Sequence, residues 1–175
     1  MKTIRNFASL FVIGAALALS ASGAPPQIHP DCMRSHTPVL CTSIVNQIIQ
    51  ELAYFNQVFE APNADSAAAA ADFYHEDAVL YTKASDVFYV GHTSIEQDYF
   101  APFLSVVKTA HVDAELLHFM YVNPELVIVY GRPTASLTMK DGTMLTQAPL
   151  PQTLTFVRNP RHDPKRPFVI VADQE

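Results

Sequence analysis

Between residues 44 and 59, apolar side chains recur at three- and four-residue steps: Ile44, Ile48, Leu52, Phe55 and Phe59, joined by Val45 and Ile49. That spacing puts them on one stripe of an α-helix, capped by Thr42 or Ser43 and stopped by Pro62. A second helix is predicted to start at Asn63 or Asp65 and to continue through Ala67–Ala71, where small side chains permit close packing. The period then changes. AVLYT at 78–82 and VFYV at 87–90 are β-rich runs, Gly91 breaks the second, and Thr93 caps a third helix ending near Ser105. From there long strands are predicted at His111–Val122, Leu126–Met139, Gln152–Arg158 and Pro167–Ala172, with Gly131 and Pro133 marking a bend. Asn123-Pro124-Glu125, Lys140-Asp141-Gly142 and the polar segment 159–167 are the turns and loop between them. Helices first and antiparallel strands afterwards predict an α+β domain with helices covering one sheet face.

The start of the chain has a different character. Lys2 and Arg5 precede the apolar run Phe7–Leu19, and the small residues Ser20-Ala21-Ser22-Gly23-Ala24 follow. This is the order of a secretory signal peptide, assigned to residues 1–23, and the run is shorter than the roughly 20 apolar residues that span a bilayer. Export is therefore expected, with no membrane association once the signal is removed. Residues 24–42 read as an extended, proline-rich arm, and residues 43–175 as a single domain.

Without Lys2 and Arg5 the chain has nine basic residues against seventeen acidic ones, a formal charge of −8. Nucleic acid is thus an unsuitable partner, because phosphate backbones are bound by clustered Lys and Arg. The two cysteines, Cys32 and Cys41, both lie in the arm, and an oxidising compartment favours their pairing in one small loop. His29 and His36 do not give them the tight paired spacing of a zinc site, so neither a metal nor a cofactor is expected.

The run FYHEDAVLY, a glycine leading into VGHTSIEQDYF, and a long meander closing on QTLTFVR and FVIVADQE resemble the nuclear transport factor 2-like superfamily. That superfamily includes ketosteroid isomerases, SnoaL-like polyketide cyclases and non-catalytic association domains. The resemblance covers roughly residues 43–175. It implies a cone, in which a strongly curved antiparallel sheet wraps around three N-terminal helices and opens into an apolar pocket. Aligned without gaps from Phe73 to Gly91, the isomerase pattern places its general-base aspartate at Thr82, and a threonine cannot serve as that carboxylate.

Other groups are then the candidates. His118 shares strand register with Val112, Ala114, Leu116, Met120 and Val122, so it is the ionisable group on an otherwise apolar face. It is the candidate catalytic acid/base, against the simpler reading of a core histidine with a local partner. Tyr54, Tyr81 and Tyr130, with Phe55 and Tyr99, are the candidate ligand contacts. The first functional expectation is a secreted protein that binds a small apolar or aromatic molecule in its pocket. An isomerase- or lyase-type enzyme of the cyclase or dehydratase kind, using His118 and the tyrosines, is the alternative. A third reading is a homodimeric interaction module that pairs through the outer face of the long strands.

Overall fold

The computed structural model describes residues 27–83, 85–147, 149, 151–161 and 163–174, with 113–117 described for their backbone alone. The assigned signal peptide, 1–23, lies outside the described residues. Among the described residues, a short 3-10 turn at Pro30–Cys32 and three longer helices precede or interrupt a seven-stranded sheet, whose strands lie side by side in the order Val87–Val90, Tyr74–Thr82, Phe168–Gln174, Gln152–Arg158, Leu126–Met139 and Val107–Asn123, with Met144–Gln147 pairing the far half of Leu126–Met139.

Helix α1 spans Pro38–Glu60, and the whole predicted stripe from Ile44 to Phe59 is buried. It begins before the expected cap. Pro38 stands in its first turn, where a missing N–H costs nothing and the ring pre-sets φ. Thr42 therefore sits inside the helix, its hydroxyl donating to the Pro38 carbonyl (2.8 Å) and accepting from the His29 N–H (3.0 Å). Helix α2 is Ser66–Ala71. The third helix, α3, is continuous but uneven: His92–Ser94 is α-helical, Ile95–Phe100 is π-helical, and Ala101–Val106 is α-helical again. The widened turn comes just before Pro102, whose ring and missing N–H are incompatible with a regular turn onto Asp98. Gly91 enters α3 at φ +82°, and a Cβ there would lie 3.2 Å from the Glu76 carbonyl oxygen.

Strands β1 (Tyr74–Thr82) and β2 (Val87–Val90) form a hairpin, and β3 (Val107–Asn123) pairs with β4 (Leu126–Met139). β5 (Met144–Gln147) was not anticipated, and β6 (Gln152–Arg158) leads to β7 (Phe168–Gln174). The sheet is mixed rather than wholly antiparallel, because β7 runs parallel to β1. Two register shifts reorganise its faces. Between Ala114 and Leu117 the β3 register slips, so that Val112 is buried before it and Phe119 after it, residues of opposite parity. Between Thr155 and Phe156 the partners jump from Ala172 to Ile170, and Ile170 and Asp173 both end up buried.

Phe55, Phe59, Phe73, Tyr74 and Phe100 meet at ring-centroid distances of 5.0 to 6.2 Å, filling the space between α1, α3 and β1. Two further contacts fasten the arm. Cys32 and Cys41 form a disulfide and are both fully buried, and the Asp31 carboxylate accepts the Phe119 N–H at 2.8 Å. Cys41 belongs to the first turn of α1, so the bridge ties the arm directly to that helix.

Candidate functional site

An opening of about 1050 Å³ lies between α1 and the segment from Arg158 to Pro167. Its α1 wall is a seam of Gln47, Glu51, Tyr54 and Val58, spaced by four, three and four residues, with Gln50 and Gln57 beside it. The helical period that buries Ile48 and Phe55 also turns Glu51 inward, three residues after the one and four before the other. Glu51 is 3% exposed, and its Oε2 has no hydrogen-bond partner among the described residues. The buried Oε1 of Gln47, one turn away, has none either. Burial pushes the Glu51 carboxyl up to about 7, against the pull of the Arg166 charge and with a smaller push from Asp163.

The opposite wall is held by Asn159, which is buried. Its N–H donates to the Pro167 carbonyl (2.9 Å), its side-chain amide donates to the Arg166 carbonyl (2.8 Å), and its Oδ1 accepts from the Arg161 N–H (2.9 Å). Asp163 caps the next turn by accepting the Lys165 N–H at 2.8 Å. On this scaffold the Arg166 guanidinium lies 4.2 Å over the Phe73 ring and 3.7 Å from Asp72. Arg158 lies 4.5 Å over Phe168 and 3.9 Å from Glu125. The ring contacts hold both guanidinium groups in place beside their acidic partners. The cleft thus combines buried acceptors at its α1 wall with a rim of positive charge, including Lys165.

A smaller opening of about 260 Å³ adjoins it, lined by Asp72, His75, Glu76 and Arg161 and sharing Asp163 and Arg166. His75, Glu76 and Asp77 have ligand atoms within 4.8 Å of one another, the one such group among the described residues, but they are consecutive and mostly exposed.

A second buried polar centre lies in the sheet interior. Asp173 is 2% exposed and accepts from the Tyr74 hydroxyl (2.7 Å) and the Gln152 amide (2.8 Å). Burial pushes its carboxyl up to about 6, although both hydrogen bonds favour the charged form. Asp173 and Gln152 line neither opening.

The residues singled out from sequence are dispersed. Tyr54 lines the cleft at its exposed rim, and Phe55 points the other way into the aromatic core. Tyr99 is half-buried against Tyr89 and Phe100. Tyr81 bonds Asp86 at 3.2 Å and stacks on Phe88 near the free edge of the sheet, and Tyr130 is exposed on β4. His118 does not lie on the apolar inner face. Its side chain is 72% exposed and stands 3.8 Å from Asp31, because the β3 register shift reverses the faces between Val112 and His118. Thr82 is buried at the end of β1 and shares a hydrogen bond with Ser85. Glu51 and Asp173 were missed. Glu51 was visible as a charge on the buried stripe of α1, whereas Asp173 was concealed by the slip in β7.

No family model matches this sequence, and no curated protein matches it as a relative. Solved structures do match. The chain superposes on a nuclear transport factor 2-like superfamily protein from Salmonella enterica with TM-score 0.57 and 8% identity, covering 79% of this chain and 90% of that one. It superposes on ActVI-ORFA from Streptomyces coelicolor with TM-score 0.60 and 9% identity, over 76% and 96% of the two chains. A protein from Catenulispora acidiphila in complex with S-DNPA matches with TM-score 0.58 and 14% identity, over 75% and 90%. At these identities the fold is what is shared. The chain has the curved α+β architecture of the nuclear transport factor 2-like superfamily.

Proposed function

We propose that this chain is an exported small-molecule-binding protein that holds its ligand in the cleft between α1 and the 158–167 segment. The observation that carries this reading is the pair of buried, unpartnered oxygens of Glu51 and Gln47 on the wall of that cleft. Unmet buried acceptors destabilise the empty protein by about 1–3 kcal/mol each, a loss that a ligand donor reverses. The rigidity supplied by Asn159 adds support, since a preformed wall spares a ligand the entropy of ordering it. The Catenulispora protein of the same fold was solved in complex with S-DNPA. Export rests on the signal-like N-terminus and fits the Cys32–Cys41 disulfide.

Of the expected contacts only Tyr54 belongs to this cleft, and its lining mixes polar and apolar surface where an apolar pocket was expected. The test is a ligand-observed NMR screen of a mixed fragment library, with hits mapped by amide shifts. Hits should move the amides of Gln47–Val58 and of Arg158–Pro167. Hits that leave both segments unmoved would overturn the assignment.

A specific observation favours a second reading. A cleft carboxyl that titrates near 7 beside an arginine has the properties of a general acid/base, so an isomerase- or lyase-type enzyme of this fold would use Glu51 rather than His118. Pairing with a second copy is compatible with either reading: Met120, Val122 and Tyr130 are exposed on the paired strands β3 and β4.

A further inference from the structure

The amino-acid sequence concentrates positive charge in one place. Four of the eleven basic residues, Arg158, Arg161, Lys165 and Arg166, fall within nine positions that contain one acidic residue, in a chain whose net charge is −6. Three of the four line the large cleft. Arg158 and Arg166 are each anchored over an aromatic ring, which lowers the entropy lost when they grip a ligand. Across the cleft stand the opposite demands. Gln47 and Glu51 present bare acceptors, one helical turn apart and shielded from water. One wall asks a ligand for hydrogen-bond donors, and the other, where Arg158 and Arg166 already lie near Glu125 and Asp72 and Lys165 adds a further cation, still attracts negative charge.

We propose that the cleft binds an organic acid that carries hydroxyl groups, with its hydroxyls donating to Gln47 and Glu51 and its carboxylate held by Arg158, Lys165 and Arg166. This rests on the cleft being the ligand site and specifies what it selects. Neutral apolar molecules would leave the acceptors unmet, and amines without an acid group would be repelled at the rim. Tyr54 supplies a flat surface for a planar or ring-shaped carbon skeleton.

The probes are protocatechuate, which is a benzoate with two adjacent hydroxyls, together with its methyl ester and unsubstituted benzoate. Binding is measured by amide-shift titration of the protein at pH 8. Protocatechuate should bind, shifting the Gln47–Val58 and Arg158–Pro167 amides. Loss of the carboxylate in the ester, or of both hydroxyls in benzoate, should each weaken binding by about tenfold or more, as for charge-assisted hydrogen bonds. Lys165→Glu lies at the exposed rim and should weaken protocatechuate while leaving the ester unchanged. Gln47→Leu should weaken protocatechuate and leave benzoate unchanged.

Equal affinities for acid and ester would overturn the anionic requirement, and equal affinities for protocatechuate and benzoate would overturn the donor requirement. If none of the three probes binds at about 10 mM while neutral fragments still shift the cleft amides, the ligand class is wrong and the cleft remains the binding site. If nothing shifts those amides, both fall. The comparison among the three probes needs no variant, so it holds even if a substitution disturbs folding.

Discussion

Replacing Asp173 by asparagine should stabilise this protein at neutral pH, although it removes a side chain engaged in two buried hydrogen bonds. The folded carboxyl titrates at about 6, against 3.8 for an ordinary aspartate. Because the folded state holds its proton more tightly than the unfolded chain does, stability is greatest below the ordinary value. It is lost as pH rises and the buried group is forced to ionise. At about 1.4 kcal/mol per pH unit, the roughly two-unit gap gives a penalty of up to about 3 kcal/mol, complete above pH 7. Asparagine has nearly the same shape, can accept the Tyr74 hydroxyl, and meets Gln152 once that amide rotates.

The assay is urea unfolding at a series of pH values from 4 to 8, followed by far-ultraviolet circular dichroism with the disulfide intact. Asp173→Asn should gain about 1–3 kcal/mol at pH 8 and close to nothing at pH 4, with an unchanged m value. A variant equally destabilised at both ends of the series would show that the carboxylate is not under desolvation stress, and the reasoning would fail.

Three further outcomes follow from the same structure. Glu51→Leu removes a buried acceptor without a partner and should raise the stability of the empty protein at pH 8 by about 1–2 kcal/mol. That gain should fade below pH 5, where the native carboxyl is already neutral, and the variant should lose protocatechuate binding. Converting Cys32 and Cys41 to serine opens a short loop and should cost about 2–3 kcal/mol in urea unfolding. It should also free residues 27–37 for proteolysis in the native state. Gly91→Ala forces a side chain into a left-handed conformation 3.2 Å from the Glu76 carbonyl and should cost about 1–2 kcal/mol, read as a lower urea midpoint.

How much of this was visible in the residues depends on which period governed them. The α1 stripe was legible in element and face because its helical period is uninterrupted, and β2, β4 and β6 were legible as strands from their β-rich runs. The start of α1 was misplaced because Thr42 has the look of a cap, while Pro38 had already begun the helix. The two buried faces that matter most in the sheet were not legible. A strict alternation puts His118 inside with Val112, and a single register shift in β3 moves it to the surface. The corresponding shift in β7 turns Asp173 inward.

The cleft itself joins α1 to a loop that begins 98 residues after the helix ends, a proximity that no local pattern carries. Its two ingredients were nonetheless in view, as Glu51 among isoleucines and phenylalanine, and as the basic run near Arg158–Arg166. Only the fold brings them to one cavity.

The most direct test of the cleft as the ligand site is a crystal structure of the protein with protocatechuate soaked in. Electron density for the ligand is expected between α1 and the 158–167 segment, its hydroxyls within hydrogen-bond distance of Glu51 and Gln47 and its carboxylate toward Arg158, Lys165 and Arg166. Density among the aromatic rings around Phe55 and Phe100, or on the outer face beside His118 and Tyr130, with the cleft left empty, would contradict it.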